Sequence, residues 1–146
     1  MYEQQKKAAE AEQAFRKALA LDEDNPSVLN YLGYMLADRG MKLDEAVQLI
    51  QKAVDIDPIN GAFLDSLGWA FFKQDKLDLA EQYLKRAVIF AATNATMYDH
   101  LGDVYFKTQR FADAEMVWAK GLPYADEADE AARMRKKLDD VRARPR

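Results

Sequence analysis

His100 is the one histidine of the chain, and Asp99 and Asp103 stand beside it at helical spacing. An imidazole and two carboxylates on one helix could be drawn as a metal site. A metal centre, however, needs several converging ligands and further groups that orient them. The set reads instead as a surface histidine between solvated acids. The other close carboxylate pairs, Asp22/Asp24 and Asp139/Asp140, fall at helix ends, where capping explains them. The sequence has no glycine-rich phosphate loop, no His-Glu-x-x-His, no Gly-x-Ser-x-Gly and no cysteine. The expectation is a non-enzyme without cofactor or metal. The basic tail, Arg133, Arg135, Lys136, Lys137, Arg142, Arg144 and Arg146, could attract nucleic acid or anionic lipid. It is interleaved with Asp139 and Asp140 and lacks aromatics, and the chain carries a net charge of −4 with a pI near 5.1. Nucleic-acid binders show a basic face, so neither nucleic acid nor a lipid surface is expected as a partner, and the tail reads as solvated.

The elements that would hold these side chains are helices. With 146 residues, 49% hydrophobic and 32% charged, the chain can bury a substantial core. No apolar run is long enough to span a bilayer, and Met1-Tyr2-Glu3 leads into a charged helix without a secretory signal pattern. The reading is a soluble chain with no membrane insertion, from a full-length protein of undetermined compartment. Apolar residues recur at spacings of three and four throughout, the mark of one helix face. Asn25-Pro26, Asn60 and Asn94 read as helix starts. Gly40, the Gln74-Asp75-Lys76 turn and Pro58 read as breaks. The last segment, from Asp126, carries a stripe of Ala131, Met134, Leu138 and Val141, with acids first and bases last, as the helix dipole favours. The pattern predicts eight helices and no strand.

A longer period overlies the short one. Leu32-Gly33, Leu67-Gly68 and Leu101-Gly102 place their glycines 35 and 34 residues apart. Ala46, Ala80 and Ala114 are spaced by 34, as are Ile50, Leu84 and Trp118, and Ala53, Ala87 and Gly121. The extra residue in the first glycine step places an insertion near Gly40-Met41-Lys42. A small residue lets two helix backbones approach, and a large residue four positions on fills the space beside it. By that logic Gly33, Gly68 and Gly102 sit where paired helices meet, and Gly121 in place of alanine loosens the last pair.

This pattern, Leu-Gly on a first helix and Ala-large-Ala on a second, resembles the tetratricopeptide repeat, a helix–turn–helix unit of 34 residues. The resemblance covers about residues 3 to 125. It departs from the family at Glu23, Ala92 and Asp126, where an inter-repeat proline is usual; Pro58 alone is present. It implies an all-α solenoid wound as a right-handed superhelix and closed by a capping helix. The implied single domain divides into a partial repeat holding only a second helix (1–25), repeats over 26–59, 60–94 and 95–125, and a capping helix with the basic tail (126–146). The style of the repeats also resembles the carboxy-terminal repeat arrays of long bacterial proteins.

The resemblance implies a protein–protein interaction scaffold whose first helices line a concave face that takes a peptide or a partner helix. Residues away from the packing stripe should line it. They are Asn30, Tyr34 and Asp38, then Asp65, Trp69, Phe72 and Lys73, then Asp99, Asp103, Phe106 and Lys107. Trp69 is the expected central anchor, because exposed aromatics are enriched at binding hot spots. Phe72 and Phe106 also read as side chains packed on a neighbouring helix, and both readings stay open. The acids at 65 and 99 disfavour an acidic peptide terminus and favour a basic or apolar ligand. The alternative function is self-association, a homodimer formed where the incomplete first repeat bares the face around Phe15.

Overall fold

The computed structural model describes residues 2 to 145, and of Tyr2 only the backbone; Arg146 of the basic tail lies outside them. Eight α-helices follow one another: α1 (Tyr2–Leu21), α2 (Pro26–Asp38), α3 (Leu43–Ile56), α4 (Gly61–Lys73), α5 (Leu77–Phe90), α6 (Ala95–Lys107), α7 (Phe111–Gly121) and α8 (Ala128–Arg142). A single 3-10 turn, Leu122–Tyr124, precedes α8. Among the described residues there is no strand, and no helix is long and apolar enough to cross a membrane.

Helices α2, α4 and α6 start alike. The side chains of Asn25, Asn60 and Asn94 accept hydrogen bonds from the backbone N–H groups of Val28, Phe63 and Met97, satisfying donors that a helix start leaves free. They also end alike. The N–H of Met41, Lys76 and Arg110 bonds back to the carbonyl of Leu36, Phe71 and Tyr105, closing the same C-terminal motif each time. That motif needs a left-handed residue, which is Gly40 in the first unit (φ 67°), Asp75 in the second (62°) and Gln109 in the third (63°). The first turn alone has an extra residue before the next helix, and Lys42 takes a left-handed conformation to accommodate it (φ 48°). The one-residue insertion read from the spacing is located there.

Within each pair the packing follows the small-and-large pattern. A Cβ on Gly68 would lie 2.6 Å from Leu84 Cγ and 3.2 Å from the Ala80 carbonyl. Gly33 is pressed in the same way against Ile50, and Gly102 against the Trp118 indole. Ala46, Ile50, Ala53, Ala80, Leu84, Ala87 and Ala114 are fully buried. Gly121 corrects the expectation of a loosened third pair. A Cβ there would run into Tyr98, which replaces the leucines at 29 and 64, so the missing methyl makes room for the larger ring. Each helix pair then stacks on the next, giving one continuous core from Leu29 to Val141. Helix α8 buries Met134, Leu138 and Val141 against the last pair.

Candidate functional site

The successive first helices, α2, α4 and α6, carry the residues expected to line the concave face. Their side chains fall into three sets by burial. Asn30, Asp65 and Trp69 are buried, Tyr34, Phe72, Asp99 and Asp103 are half-buried, and Asp38, Lys73, Phe106 and Lys107 are exposed.

Asp65 and Trp69 meet His100 in a polar and aromatic seam between α4 and α6. Trp69 is only 8% exposed. Its ring stacks on His100 at 4.0 Å and on Phe72 at 4.8 Å, and its Nε1–H donates to Asp38 Oδ1 at 3.2 Å. One indole thereby ties together α2, α4 and α6. This corrects the reading of Trp69 as an exposed anchor. It lies off the stripe that meets its own partner helix, but a helix in a stack of pairs is covered on a second side by the next first helix. His100 is corrected for the same reason. It is 6% exposed, and its Nδ1 lies 2.9 Å from Asp65 Oδ1, on the neighbouring helix. It therefore faces Asp65 across the seam, and the one-helix cluster with Asp99 and Asp103 does not form.

Burial pushes the His100 imidazolium down, but the charge and hydrogen bond of Asp65, backed by Asp99 and Asp103, outweigh burial and raise it above its ordinary 6.5. Tyr34 on α2 brings a second ionisable ring 6.4 Å from the imidazole. Burial, with the charges of Asp38 and Asp65, pushes its hydroxyl up as well. Because the unfolded chain loses the His100 proton first, the stabilisation from this pair is complete below pH 6.5 and fades as pH rises through the higher folded value. The melting temperature of the parent relative to His100→Gln is therefore expected to fall as pH rises above about 6.5. An NMR titration of the ring with its midpoint below the ordinary imidazole value would overturn this.

The acids of α6 are also engaged. Lys137 of α8 reaches across, with its Nζ 2.9 Å from Asp99 Oδ1 and 3.0 Å from Asp103 Oδ1. Asp99 also accepts from Trp118 Nε1 at 3.1 Å. Burial, reinforced by the Asp99 charge, pushes the Asp103 carboxyl up despite Lys137. The basic tail is thus not simply solvated. Besides Lys137, Arg142 pairs with Glu115, and the Arg144 guanidinium lies 4.0 Å over the Phe111 ring. Sequence reasoning missed Lys137 and Arg144 as residues of this face because α8 lies outside the repeat register. The signal available was the alternation of its bases with the buried Met134–Leu138–Val141 stripe.

What remains accessible is a row of aromatic rings, Tyr34, Phe72 and Phe106, with Asp38 at one end. Lys73 lies 5.2 Å over Trp69, and Lys107 lies 5.3 Å over Phe72 and pairs with exposed Asp75. Asn30 Oδ1 is buried without a hydrogen-bond donor among the described residues.

A family model described as tetratricopeptide repeat matches residues 2–61 and 44–96. The chain is 44% identical over 68 residues to the TPR repeat-containing protein PA4667 of Pseudomonas aeruginosa, a match spanning 47% of this chain and 12% of that protein's length. The first TPR of Spaghetti (RPAP3), solved bound to the HSP90 peptide SRMEEVD, superposes with a TM-score of 0.68 at 24% identity, covering 84% of this chain and 97% of that one. The type III secretion translocator chaperone SycD of Yersinia enterocolitica superposes with a TM-score of 0.73 at 17% identity, covering 83% and 86%. At such identities the two structures speak for the fold. The repeated glycine contacts, the recurring caps and the family match agree, and the chain belongs to the tetratricopeptide repeat family.

Proposed function

We propose that the chain is a non-catalytic scaffold that seats a basic or apolar segment of a partner protein on its concave face. Tetratricopeptide repeats generally mediate protein–protein interactions, and a solved relative holds a peptide. The observation that carries the reading is the row of accessible rings, Tyr34, Phe72 and Phe106, on successive first helices. Aromatic rings supply much of the energy at protein interfaces. Asp38 is exposed and its carboxylate accepts from the neutral Trp69 indole, so it disfavours an acidic terminus and attracts a cation. The repeat boundaries at 26, 60, 95 and 126 belong to the same proposal. A second reading, self-association, draws on Tyr31, which is 59% exposed and stacks on half-buried Phe15 of α1.

The test is a panel of immobilised peptides, apolar, Lys/Arg-bearing and acidic, read with the parent and with Tyr34→Ala and Phe106→Ala. Each substitution is expected to weaken the best peptide by roughly 1–2 kcal/mol while leaving the fold intact. Binding to a Lys/Arg-bearing peptide should also weaken with salt. Tighter binding of the acidic peptides would overturn the ligand class, and binding indifferent to both substitutions would overturn the site. A mass that grows with concentration in sedimentation would favour the second reading.

A further inference from the structure

The solenoid carries a second, unassigned surface along one edge. Leu21, Ile56 and Phe90 are the last residues of α1, α3 and α5, and Tyr124 is the last of the turn after α7. They are spaced 35, 34 and 34 residues apart, the same steps as the repeat itself. All four are exposed, at 91%, 46%, 50% and 41%. Ile59 and Ile89 beside them are exposed at 67% and 71%. Scattered apolar side chains on a surface need no explanation. A row that recurs at one register position in every unit makes a continuous strip, and such strips mark interaction sites.

The strip is acidic as well as apolar. Asp22, Glu23 and Asp24 follow Leu21, Asp55 and Asp57 flank Ile56, and Asp126 and Glu127 follow Tyr124. At its far end a polar depression is lined by Tyr124, Asp126, Glu127, Glu130 and Arg133. Few cations offset these acids. Lys52 pairs with Asp24 and donates to the Glu23 carbonyl. Asn25, Asn60 and Asn94 cap the helices that begin there, each satisfying one backbone N–H. A helical ligand would bring its own backbone bonds already made and need only side-chain contacts from the edge.

We propose that this edge docks an amphipathic helix of a partner protein, its apolar stripe lying on Leu21, Ile56, Ile89 and Phe90 and flanked by lysines or arginines that meet the acids. A second copy of this chain is a poorer fit. The opposite edge does carry cations, Arg39, Lys42, Lys76 and Arg110, but Met41 is the one apolar residue in those turns. The site is separate from the concave face and does not depend on it.

The probe is a synthetic 18-residue amphipathic helix with a leucine stripe flanked by lysines, together with the same peptide carrying glutamates instead. Isoleucine-methyl NMR follows Ile56, Ile59 and Ile89. Saturable shifts at these methyls are expected with the lysine peptide, with at least tenfold weaker binding of the glutamate peptide. Ile56→Lys combined with Phe90→Lys should weaken the lysine peptide's saturation of the remaining methyls, Ile59 and Ile89, at least tenfold, and Tyr34→Ala should leave the titration of all three methyls unchanged, whatever it does to binding on the concave face. If the double variant does not fold, Glu23→Lys combined with Asp126→Lys tests the same contact through charge, with the same expected loss. Binding that spares the three methyls, equal binding of the two peptides at them, or loss of their shifts in Tyr34→Ala would each overturn the proposal. So would self-association of the parent that shifts the same methyls without peptide.

Discussion

Trp69→Ala is expected to cost about 3–5 kcal/mol of stability, the range for truncating a large buried aromatic. The indole is 8% exposed and lies between His100 at 4.0 Å and Phe72 at 4.8 Å. Its removal opens a cavity where α2, α4 and α6 meet, and takes the hydrogen bond from Asp38. It also uncovers the His100–Asp65 pair, so water reaches a 2.9 Å hydrogen bond that burial strengthens. The cost should therefore lie towards the upper end of that range. Trp69→Phe separates the contributions, because it retains most of the stacking and loses the N–H donor, for about 0.5–1.5 kcal/mol. Urea melts of the two variants, followed by circular dichroism, make the comparison. A Trp69→Ala loss under about 1 kcal/mol would return the residue to the surface and restore it as a binding anchor.

The misplacement of Trp69 shows what the sequence could carry. The contact of a first helix with its own second helix repeats every 34 or 35 residues, so Gly33 with Ile50, Gly68 with Leu84 and Gly102 with Trp118 are legible as a small-and-large pattern. The asparagine caps and the extra residue at Lys42 are legible for the same reason, since each is local and each repeats. Contacts between one first helix and the next are not repeated in kind. The row that holds His100 holds Tyr31 and Ser66 in the preceding units, and only His100 meets an aspartate. A histidine and an aspartate 35 residues apart, each polar on its own helix, both default to the surface until the stacking of units is known. Lys137 was hidden differently. Its helix follows no copy of the repeat, so the repeat spacing does not say which α6 residues it meets, although its own Met134–Leu138–Val141 stripe marks its buried face. The repeat register assigns the expected face to α2, α4 and α6, but it does not give the depth of each side chain within it.

Gly68→Leu is expected to cost about 1–3 kcal/mol, as overpacking does in a closely fitted contact. Even the first added carbon would sit 2.6 Å from Leu84 Cγ, with the Ala80 carbonyl at 3.2 Å behind it. The leucine can rotate, but the carbonyl belongs to the α5 backbone and cannot move without shifting the helix. A Cβ alone is thus met partly by a flexible side chain, and Gly68→Ala should be milder than Gly68→Leu. The same contact predicts a rescue. Leu84→Ala by itself removes a fully buried side chain and should cost about 2–5 kcal/mol. Combined with Gly68→Leu, it gives the new side chain part of the vacated space, so the double variant should be more stable than the sum of the single losses implies. Substitution at Gly40 is a control of another kind, because nothing lies within 4 Å of its Cβ position and the strain there comes from φ alone. Leu84→Ala should therefore give Gly40→Leu no relief. Thermal melts of these single and double variants form the cycle. If Gly68→Leu melts like the parent, or if Leu84→Ala relieves the two glycine variants equally, the interhelical contact is not what selects glycine at 68.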